Sequence, residues 1–248
     1  MSGITQTEVV GKPLRWSDPD REFVGMLVHE LRNGLNNIRL LRFAAEEAPD
    51  ISRRSLWHAM DEVIDRMSPL LQDMLEFCRL THGAFRLNCQ RIDLRQVGRR
   101  AAHEGRRALF RRSGIKFDLD LSDNPVWTFG DQDRLTMACE NLLDNALRNT
   151  APTGRVRLTV TESGTGAMIS VSDTGNGMDP ALVEQLFAPF TRGGSVRSDS
   201  HRETTGCGFG LGLLFVRTVA ELHGGHAAAQ SHGAGLGSEF IVVLPHQA

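Results

Sequence analysis

A histidine, a carboxylate and an amide lie close together in the N-terminal part of the chain. His29 is followed directly by Glu30, and Asn33 lies four residues after the histidine, on the same face of a helix. A neutral imidazole can attack phosphorus with one nitrogen, while a carboxylate that accepts the other N–H fixes the tautomer and raises nucleophilicity. The spacing therefore indicates a nucleophilic histidine, and the alternative is an ordinary surface histidine.

A row of amides lies in the segment 131–150. Asn141, Asn145 and Arg148 recur at intervals of four and three residues, so they share one face of a predicted helix. Magnesium takes oxygen ligands and commonly combines one or two protein oxygens with substrate phosphates and water. The amide oxygen of Asn145 suits this metal, and Arg148 would neutralise phosphate charge. The alternative is a polar surface row.

Two glycine-containing segments follow. The sequence from Asp173 to Gly177 comes directly after an apolar strand and predicts a tight turn with an exposed carboxylate, which can accept the exocyclic amine of adenine. Its glycines would let the backbone approach the base closely, and the alternative is a simple hairpin turn. The second segment opens a helix, and four alternating glycines free its backbone N–H groups to face an anion: Gly206, Gly208, Gly210 and Gly212.

Heptad spacing predicts two helices that position His29. Apolar or small residues recur at intervals of four and three over 27–45 and again over 56–77. The two helices would form an αα-hairpin, and two hairpins would form a dimeric four-helix bundle. Because His29 falls outside this apolar seam, we expect its ring to face solvent.

Local signals set the ends of these helices. Asp18 and Pro19 are typical of the first residues of a helix. Pro49 ends the first helix, and the second begins near Ser52. Pro69 predicts a kink or a local break in the second helix.

The rest of the chain mixes short strands and helices. Alternating or β-rich content predicts strands over 115–121, 155–161, 167–173 and 239–244. Helical patterns lie between them, over 94–112, 131–148, 179–187 and 211–223. This order predicts a layered α/β domain. The stretch 193–208, rich in glycine, serine and charge, predicts a long mobile loop of the kind that is usually functional.

Composition excludes several classes of protein. The 248 residues carry 28 Lys and Arg against 30 Asp and Glu, so the chain lacks the basic character of a nucleic-acid binder. For the arginine-rich stretch 99–112, a solvated helix face is favoured over a nucleic-acid patch. No apolar run approaches the roughly 18 residues of a membrane helix, and no secretory signal is visible, so we expect a soluble, cytoplasmic chain.

The four cysteines are widely spaced and predict neither a metal site nor a disulfide framework. We interpret them mainly as reduced packing residues: Cys78, Cys89, Cys139 and Cys207.

Residues 23–35, FVGMLVHELRNGL, resemble the H-box of two-component sensor histidine kinases. The resemblance implies that His29 is phosphorylated, that Glu30 is the assisting base, and that Asn33 supports dephosphorylation of a partner response regulator. The family usually has proline where this chain has Gly34, which leaves open how strongly the helix bends beside the histidine.

Four later segments, 131–150, 173–178, 186–192 and 206–213, resemble the N, G1, F and G2 boxes of the histidine-kinase ATP-binding domain. This is the Bergerat fold, an α/β sandwich shared with the gyrase and chaperone ATPases. The resemblance implies ATP with Mg²⁺. It also implies that Asn145 is the metal ligand and that Asn141 and Arg148 lie near the phosphates, with Arg192 near the γ-phosphate. Asp173, Gly175 and Gly177 would lie at adenine. The phosphate side would be lined by Leu211 and the four glycines Gly206, Gly208, Gly210 and Gly212.

The residue type at position 141 bears on whether bound ATP is hydrolysed. Hydrolysing relatives carry a glutamate where this chain has Asn141, and asparagine cannot act as a general base. Glu140 is adjacent but rotated by about 100° on the helix, so it is not expected to replace that glutamate.

The sequence as a whole predicts a homodimeric, ATP-dependent protein histidine kinase core. It would phosphorylate His29 and pass the phosphoryl group to an aspartate in a response regulator receiver domain, with phosphatase activity on that regulator as a second capacity. The predicted domains are a tail or linker (1–18), the phosphotransfer hairpin (19–80), a linker (81–90) and the ATP-binding domain (91–248).

The main alternative is a nucleotide-binding docking module that is non-catalytic or biased toward phosphatase activity. A Bergerat-fold ATPase or serine kinase is disfavoured by the heptad hairpin. No sensor segment is recognised, which leaves a longer protein or a separate sensor protein as the source of the signal.

Overall fold

The computed structural model describes residues 7–10, 18–47, 49, 52–64, 67, 86–164, 166–187 and 211–246. They divide into a helical unit, which holds the described residues from 18 to 67, and an α/β unit, which holds the rest. In these described ranges no helix is both long and apolar enough to cross a membrane.

Two helices form the helical unit. The first, α1, spans Asp18–Glu47, close to the predicted limits. The second, α2, is described over 52–64 and again at residue 67. The turn between them is closed by the Pro49 carbonyl, which accepts the N–H groups of Ser52 at 2.9 Å and Arg53 at 3.0 Å. Pro69 and its predicted kink lie outside the described residues.

The predicted apolar seam is the less exposed side of both helices. Ala45, Met60 and Val63 are buried, with exposed fractions of 3%, 8% and 6%. Helix α1 continues through Gly34, where a Cβ would lie only 2.6 Å from the Met67 sulfur. The glycine at the family's proline position therefore lets the second helix approach α1 closely.

Eight strands belong to the α/β unit: β1 (Thr7–Val10), β2 (Arg86–Asp93), β3 (Lys116–Leu121), β4 (Trp127–Gly130), β5 (Arg155–Ser163), β6 (Gly166–Asp173), β7 (His226–Gln230) and β8 (Ser238–Leu244). The larger sheet has the order β3-β5-β6-β8-β7. Its β3 and β5 are parallel, and the other pairs are antiparallel. The smaller sheet, β1-β2-β4, is antiparallel.

The helices of this unit are α3 (Leu94–Ala101), α4 (Glu104–Arg112), α5 (Gln132–Asn149) and α6 (Leu211–Leu222), with a 3₁₀ helix at Pro180–Gln185. The prediction of one helix over 94–112 was wrong, because the chain breaks after Ala101 and His103 caps α4. The predicted helix 179–187 is the 3₁₀ segment, whereas α5 and α6 lie close to their predicted limits.

The core lies between the larger sheet and the helices. Every second residue from Val156 to Val160 of β5 is buried, which matches the two-residue period of a strand. Helices α5 and α6 supply the facing apolar side chains. The residues that are almost fully buried there include Val156, Leu158, Val160, Leu142, Leu143, Phe215 and Val219. Each large side chain buried in this way contributes about 1.5–3 kcal/mol.

The smaller sheet was not predicted. Strand β1 pairs with β2 in the register Thr7↔Cys89 to Val10↔Arg86, so part of the predicted N-terminal tail or linker is a strand. Residues 86–90 of the predicted linker belong to β2, in which Leu87 and Cys89 are buried. The α/β unit therefore includes chain from both sides of the helical hairpin sequence.

Helix α5, which carries the predicted amide row, is fixed at its first turn. Asp131 caps the helix by accepting the N–H groups of Asp133 and Arg134, each at 3.0 Å. The buried His223 at the end of α6 accepts the Asp131 N–H on Nε2 at 2.9 Å. Its Nδ1 lies 2.7 Å from the Val219 carbonyl and must donate to it, so this arrangement requires a neutral ring.

The state of His223 predicts a pH dependence of stability. Burial lowers the pKa of His223 below its ordinary value of 6.5, although the Val219 carbonyl and Asp131 oppose that shift. Between the two pKa values the unfolded chain binds a proton at His223 and the folded chain does not. The free energy of unfolding therefore decreases as the pH falls from about 6.5 toward the lower pKa of the folded chain. Denaturant unfolding from pH 7.5 to 5 should show a shallower decrease for His223→Gln than for the unsubstituted protein.

The control for this measurement is His232→Gln, which removes an exposed histidine from the same unit. It should keep the steep decrease. Equal slopes for the unsubstituted protein and the His223 variant would contradict the role given to the buried ring.

Candidate functional site

His29 is exposed on α1, as its position outside the seam predicts. The Asn33 side chain lies on the same face, and its Nδ2 is 3.2 Å from Nδ1 of the histidine. Glu30 belongs to the same helix, but its side chain lies outside the described residues. The structure thus brings together two of the three predicted catalytic residues.

The contact between Asn33 and His29 affects which ring nitrogen can react. The oxygen and nitrogen of an amide can be exchanged by a flip, so the Asn33 amide can donate to Nδ1 or accept its proton. When the amide oxygen accepts an Nδ1–H, the neutral ring carries its lone pair on Nε2. The pair can therefore hold the tautomer that a nucleophilic histidine needs.

The amides of α5 lie in one row, as predicted. Asn141 donates to the Met137 carbonyl at 3.1 Å, and its oxygen lies 2.9 Å from the place of a Cβ at Gly212. The oxygen of Asn145 accepts from Asn149 at 3.1 Å, while Arg148 is exposed. Asn141 therefore meets the first turn of α6, next to the glycine-rich segment.

Glu140 is engaged on another side of α5. It lies 3.8 Å from Arg106 of α4, and this arginine also pairs with Asp144. The expectation that Glu140 does not take the place of a general base near Asn141 agrees with these contacts.

The carboxylate of Asp173 is buried, with 7% of the residue exposed, so the prediction of an exposed carboxylate was wrong. Its Oδ1 accepts the Gly175 N–H at 2.8 Å, and its Oδ2 accepts the Ser238 hydroxyl. These two bonds hold the carboxylate in one orientation. An ionised carboxylate offers about four acceptor sites, so Asp173 retains capacity for the amine of a base.

The glycines of this turn serve the packing of the protein's own backbone. A Cβ at Gly175 would lie 2.1 Å from the Asn149 carbonyl oxygen. Gly177 has φ +59°, and a Cβ there would lie 2.1 Å from the Gly233 carbonyl oxygen. The predicted role of these glycines at the base stays a prediction, and in the described structure they also allow close contacts within the fold.

Sequence reasoning missed three residues of this region. Ser238 comes from β8, far along the chain, and no local signal points to it. Asn149 continues the amide row by one more helical turn, which the spacing could have shown. Thr150 is buried, and its hydroxyl has no hydrogen-bond partner among the described residues.

Several predicted site residues lie outside the described part of the chain: Arg192, Gly206, Gly208, Gly210 and the side chain of Leu211. Helix α6 begins at Leu211, directly after the glycine-rich segment.

The described residues contain no group of three or more His, Cys, Asp or Glu that could hold a metal ion. A magnesium site that relies on one amide oxygen, with phosphates and water as the other ligands, fits this donor set. The Asn145 oxygen accepts one hydrogen bond and retains a second lone pair for a metal.

Two protein-family models match the chain. Residues 20–83 match the His Kinase A (phospho-acceptor) domain, and residues 130–248 match the histidine kinase-, DNA gyrase B- and HSP90-like ATPase. The solved structure of a mycobacterial sensor histidine kinase, MprB, is 30% identical, and the match covers 62% of this chain and 97% of that one, with a TM-score of 0.52. The chain belongs to the histidine kinases.

Other histidine kinases match over a longer part of the chain. Sensor histidine kinase RppB of Synechocystis is 32% identical over 240 residues, which is 91% of this chain and 49% of RppB. The solved structure of full-length ShkA in complex with AMPPNP is 26% identical and covers 92% of this chain and 47% of that one, with a TM-score of 0.63. The chain thus spans about half the length of RppB.

These matches confirm the predicted histidine kinase fold class, a helical N-terminal region followed by a mixed α/β ATPase domain.

The Ser238–Asp173 hydrogen bond predicts an effect on nucleotide affinity. Ser238→Ala removes one of the two donors that orient the buried carboxylate, and a hydrogen bond to a charged group is worth about 1.5–3 kcal/mol. Since part of that cost falls on folding, we expect ATP to bind roughly tenfold more weakly, as measured by titration with a fluorescent ATP analogue. Ser172→Ala, on the same strand as Asp173, should bind normally, and an unchanged affinity in Ser238→Ala would contradict the orienting role.

Proposed function

We propose that this histidine kinase chain moves the γ-phosphoryl group of ATP to His29 and then to an aspartate of a response regulator receiver domain. The observation that carries the proposal is the exposed His29 ring with the Asn33 amide on its Nδ1. The proposal is also supported by the α/β unit, in which hydrogen bonds orient the nucleotide-site residues Asp173 and Asn145. An acceptor histidine must be accessible to the phosphoryl donor and to the regulator in turn, and an exposed ring meets that condition.

The first step requires the tautomer with its proton on Nδ1, which the contact with Asn33 permits when the amide oxygen faces the ring. With its proton on Nδ1, the ring attacks the γ-phosphorus through the Nε2 lone pair, and the bond from that phosphorus to the bridging oxygen breaks as ADP leaves. The Nδ1 proton is then released to a base, the role that the family resemblance gives to Glu30. In the second step the bond from Nε2 to phosphorus breaks as the phosphoryl group passes to the regulator's carboxylate, and Nδ1 takes up a proton again, which restores the neutral ring.

The nucleotide would be held by the residues around α5 and the turn that follows β6. Asp173 would accept the adenine amine, and Asn141 and Arg148 would lie near the phosphates. Asn145 would contribute its oxygen to Mg²⁺, which supplies neutralisation of phosphate charge when it is bound. Regulator phosphatase activity, with Asn33 as the participating amide, is part of the same proposal, and the cytoplasmic location stays a prediction.

We also propose the domain limits. The phosphotransfer hairpin would occupy 19–80. The ATP-binding domain would include β1 and would continue from β2 at Arg86 instead of residue 91, because β2 supplies buried residues to that unit and pairs with β1.

A homodimer is supported by a line of exposed apolar residues beside the seam. Val28 and Leu35 of α1 each come one residue after a seam position, and so do Trp57 and Ile64 of α2. Their exposed fractions are 44%, 55%, 51% and 46%. An apolar stripe of this kind on a helical hairpin is what a four-helix dimer would cover.

The acceptor role of His29 predicts the outcome of a labelling experiment. His29→Ala should abolish transfer of label from γ-³²P-ATP to the chain, because no other nucleophile replaces the ring, while ATP affinity stays unchanged. The label on the unsubstituted protein should be lost in acid and stable in base. His58→Ala, which removes an exposed histidine of α2, should label normally.

Acid-labile label retained by His29→Ala would contradict the assignment of the acceptor. Absence of label on the unsubstituted protein, with normal ATP binding, would favour the docking module over the kinase.

The dimer surface predicts the effect of a charge. Trp57→Glu places a carboxylate in the exposed apolar stripe, so it should shift sedimentation from dimer to monomer at micromolar concentration without changing ATP affinity. Leu40→Glu is the matched control, because Leu40 is 67% exposed but lies on the His29 side of α1. Dissociation by both variants, or by neither, would contradict the proposed surface.

A further inference from the structure

We propose that Asn149 is a positioning residue, which fixes the orientation of the Asn145 amide and connects it to the turn that carries Asp173. This inference rests on the proposed role of Asn145 as the magnesium ligand. Asn149 is the last residue of α5, and it is neither one of the predicted site residues nor a member of the row identified from the sequence.

The side chain of Asn149 contacts Asn145 twice. Its Nδ2 donates to the Asn145 main-chain carbonyl at 2.8 Å and to the Asn145 side-chain oxygen at 3.1 Å. If the Asn145 amide were flipped, its NH₂ group would face the NH₂ group of Asn149, and two donors would oppose each other. The contact therefore selects one of two amide orientations that are nearly equal in shape.

The main chain of Asn149 contacts the turn that follows β6. Its carbonyl oxygen accepts the Asn176 N–H at 3.0 Å. The same oxygen is the atom that excludes a Cβ at Gly175, at 2.1 Å. Gly175 in turn donates its N–H to Asp173. A displacement of the turn is thus passed directly to Asn149.

These contacts form a continuous connection from Asp173 through Gly175 and Asn149 to Asn145. Its first member would meet adenine and its last would meet the metal. Groups that orient a metal ligand typically change metal affinity by about 10–100-fold when they are removed. Asn149 should therefore affect the use of Mg²⁺ more strongly than it affects binding of the nucleotide alone.

Substitution of Asn149 by leucine tests this. Leucine has a similar shape but cannot donate to Asn145, and it leaves the Asn149 carbonyl contact with the turn in place. The experiment titrates Mg²⁺ into the full chain at a fixed concentration of a fluorescent ATP analogue and measures binding, with a parallel series in EDTA. We expect the half-saturating Mg²⁺ concentration to rise about tenfold in Asn149→Leu, with less than about a twofold change in metal-free affinity.

A second background separates positioning from general stability. In Asn145→Asp the two side-chain oxygens are equivalent, so no amide orientation remains to be selected. Adding Asn149→Leu to this background should shift the Mg²⁺ dependence by less than about twofold. Asn124→Leu, an exposed amide in a loop of the same unit, is the control for loss of an asparagine and should behave as the unsubstituted protein.

The outcomes are distinguishable. An equal Mg²⁺ shift in both backgrounds, or an equal loss of affinity with and without metal, would overturn the positioning role in favour of a purely structural one. If Asn145→Leu abolishes the Mg²⁺ dependence while Asn149→Leu leaves it unchanged, this inference fails and the proposed metal ligand stands. If Asn145→Leu leaves the Mg²⁺ dependence intact, the proposed metal ligand itself is wrong.

Discussion

The geometry of the candidate nucleotide site depends on the close backbone packing of the turn after β6 against its neighbours. A Cβ at Gly175 or at Gly237 would lie about 2 Å from a carbonyl oxygen, of Asn149 and of Asp173 respectively. Additional hydrogen bonds join the turn to the β7–β8 loop, from the Gly237 N–H to Gly175 and from the Gly235 N–H to Asn176. The turn is thus held on one side by the end of α5 and on the other by the loop before β8.

This packing explains why the site carboxylate is buried. Asp173 is the last residue of β6, in the middle of the larger sheet, and the strand that follows Gly237 begins with Ser238 as its partner. A buried carboxylate without hydrogen bonds would be costly, and the Gly175 N–H and the Ser238 hydroxyl remove that cost. The same two groups leave the carboxylate with a fixed direction, which is a condition for recognising one base.

The two chemical groups have opposite requirements, and the chain places them in different units. A carboxylate that discriminates between bases works best where water is excluded, because hydrogen bonds are stronger and more directional there. A phosphoryl acceptor, the role proposed for His29, must instead be reachable by two successive partners, and His29 lies on the exposed side of a helix whose opposite side forms the seam. The heptad pattern of the hairpin defines the buried side of each helix and thereby also the exposed side.

Local periodicity made part of the fold predictable. The limits of α1, α5 and α6 follow from caps, glycines and repeat spacing, which act within a few residues. The strands β5 and β6 also follow from their own apolar content. The face that holds His29 and the row that holds Asn145 were predictable for the same reason.

Most of the features that were not predicted correctly depend on distant parts of the chain. Strand β1 is stabilised by pairing with β2, and the helical hairpin sequence lies between them, so no short window contains the signal. The burial of Asp173 depends on Ser238 in the same way. The sequence signal for the break between α3 and α4 is local but weak. The residue that caps α4 by accepting the Arg106 N–H is His103, which is not one of the usual capping residues.

The distinction between phosphoryl transfer and hydrolysis also depends on a tertiary contact. Glu140 is the carboxylate adjacent to Asn141, and a change of side-chain orientation would be needed to bring it toward a nucleotide. Arg106, whose side chain is only 13% exposed, holds Glu140 and Asp144 on the α4 side.

Releasing Glu140 would deprive a largely buried guanidinium of one of its two carboxylates, and because this pair is 3.8 Å long and partly exposed at Glu140, the cost is modest. The amide of Asn141 cannot accept a proton from water, and Arg106 contacts both of the neighbouring carboxylates of α5, Glu140 and Asp144. This arrangement disfavours activation of water near Asn141, which agrees with the proposed transfer of the γ-phosphoryl group to His29.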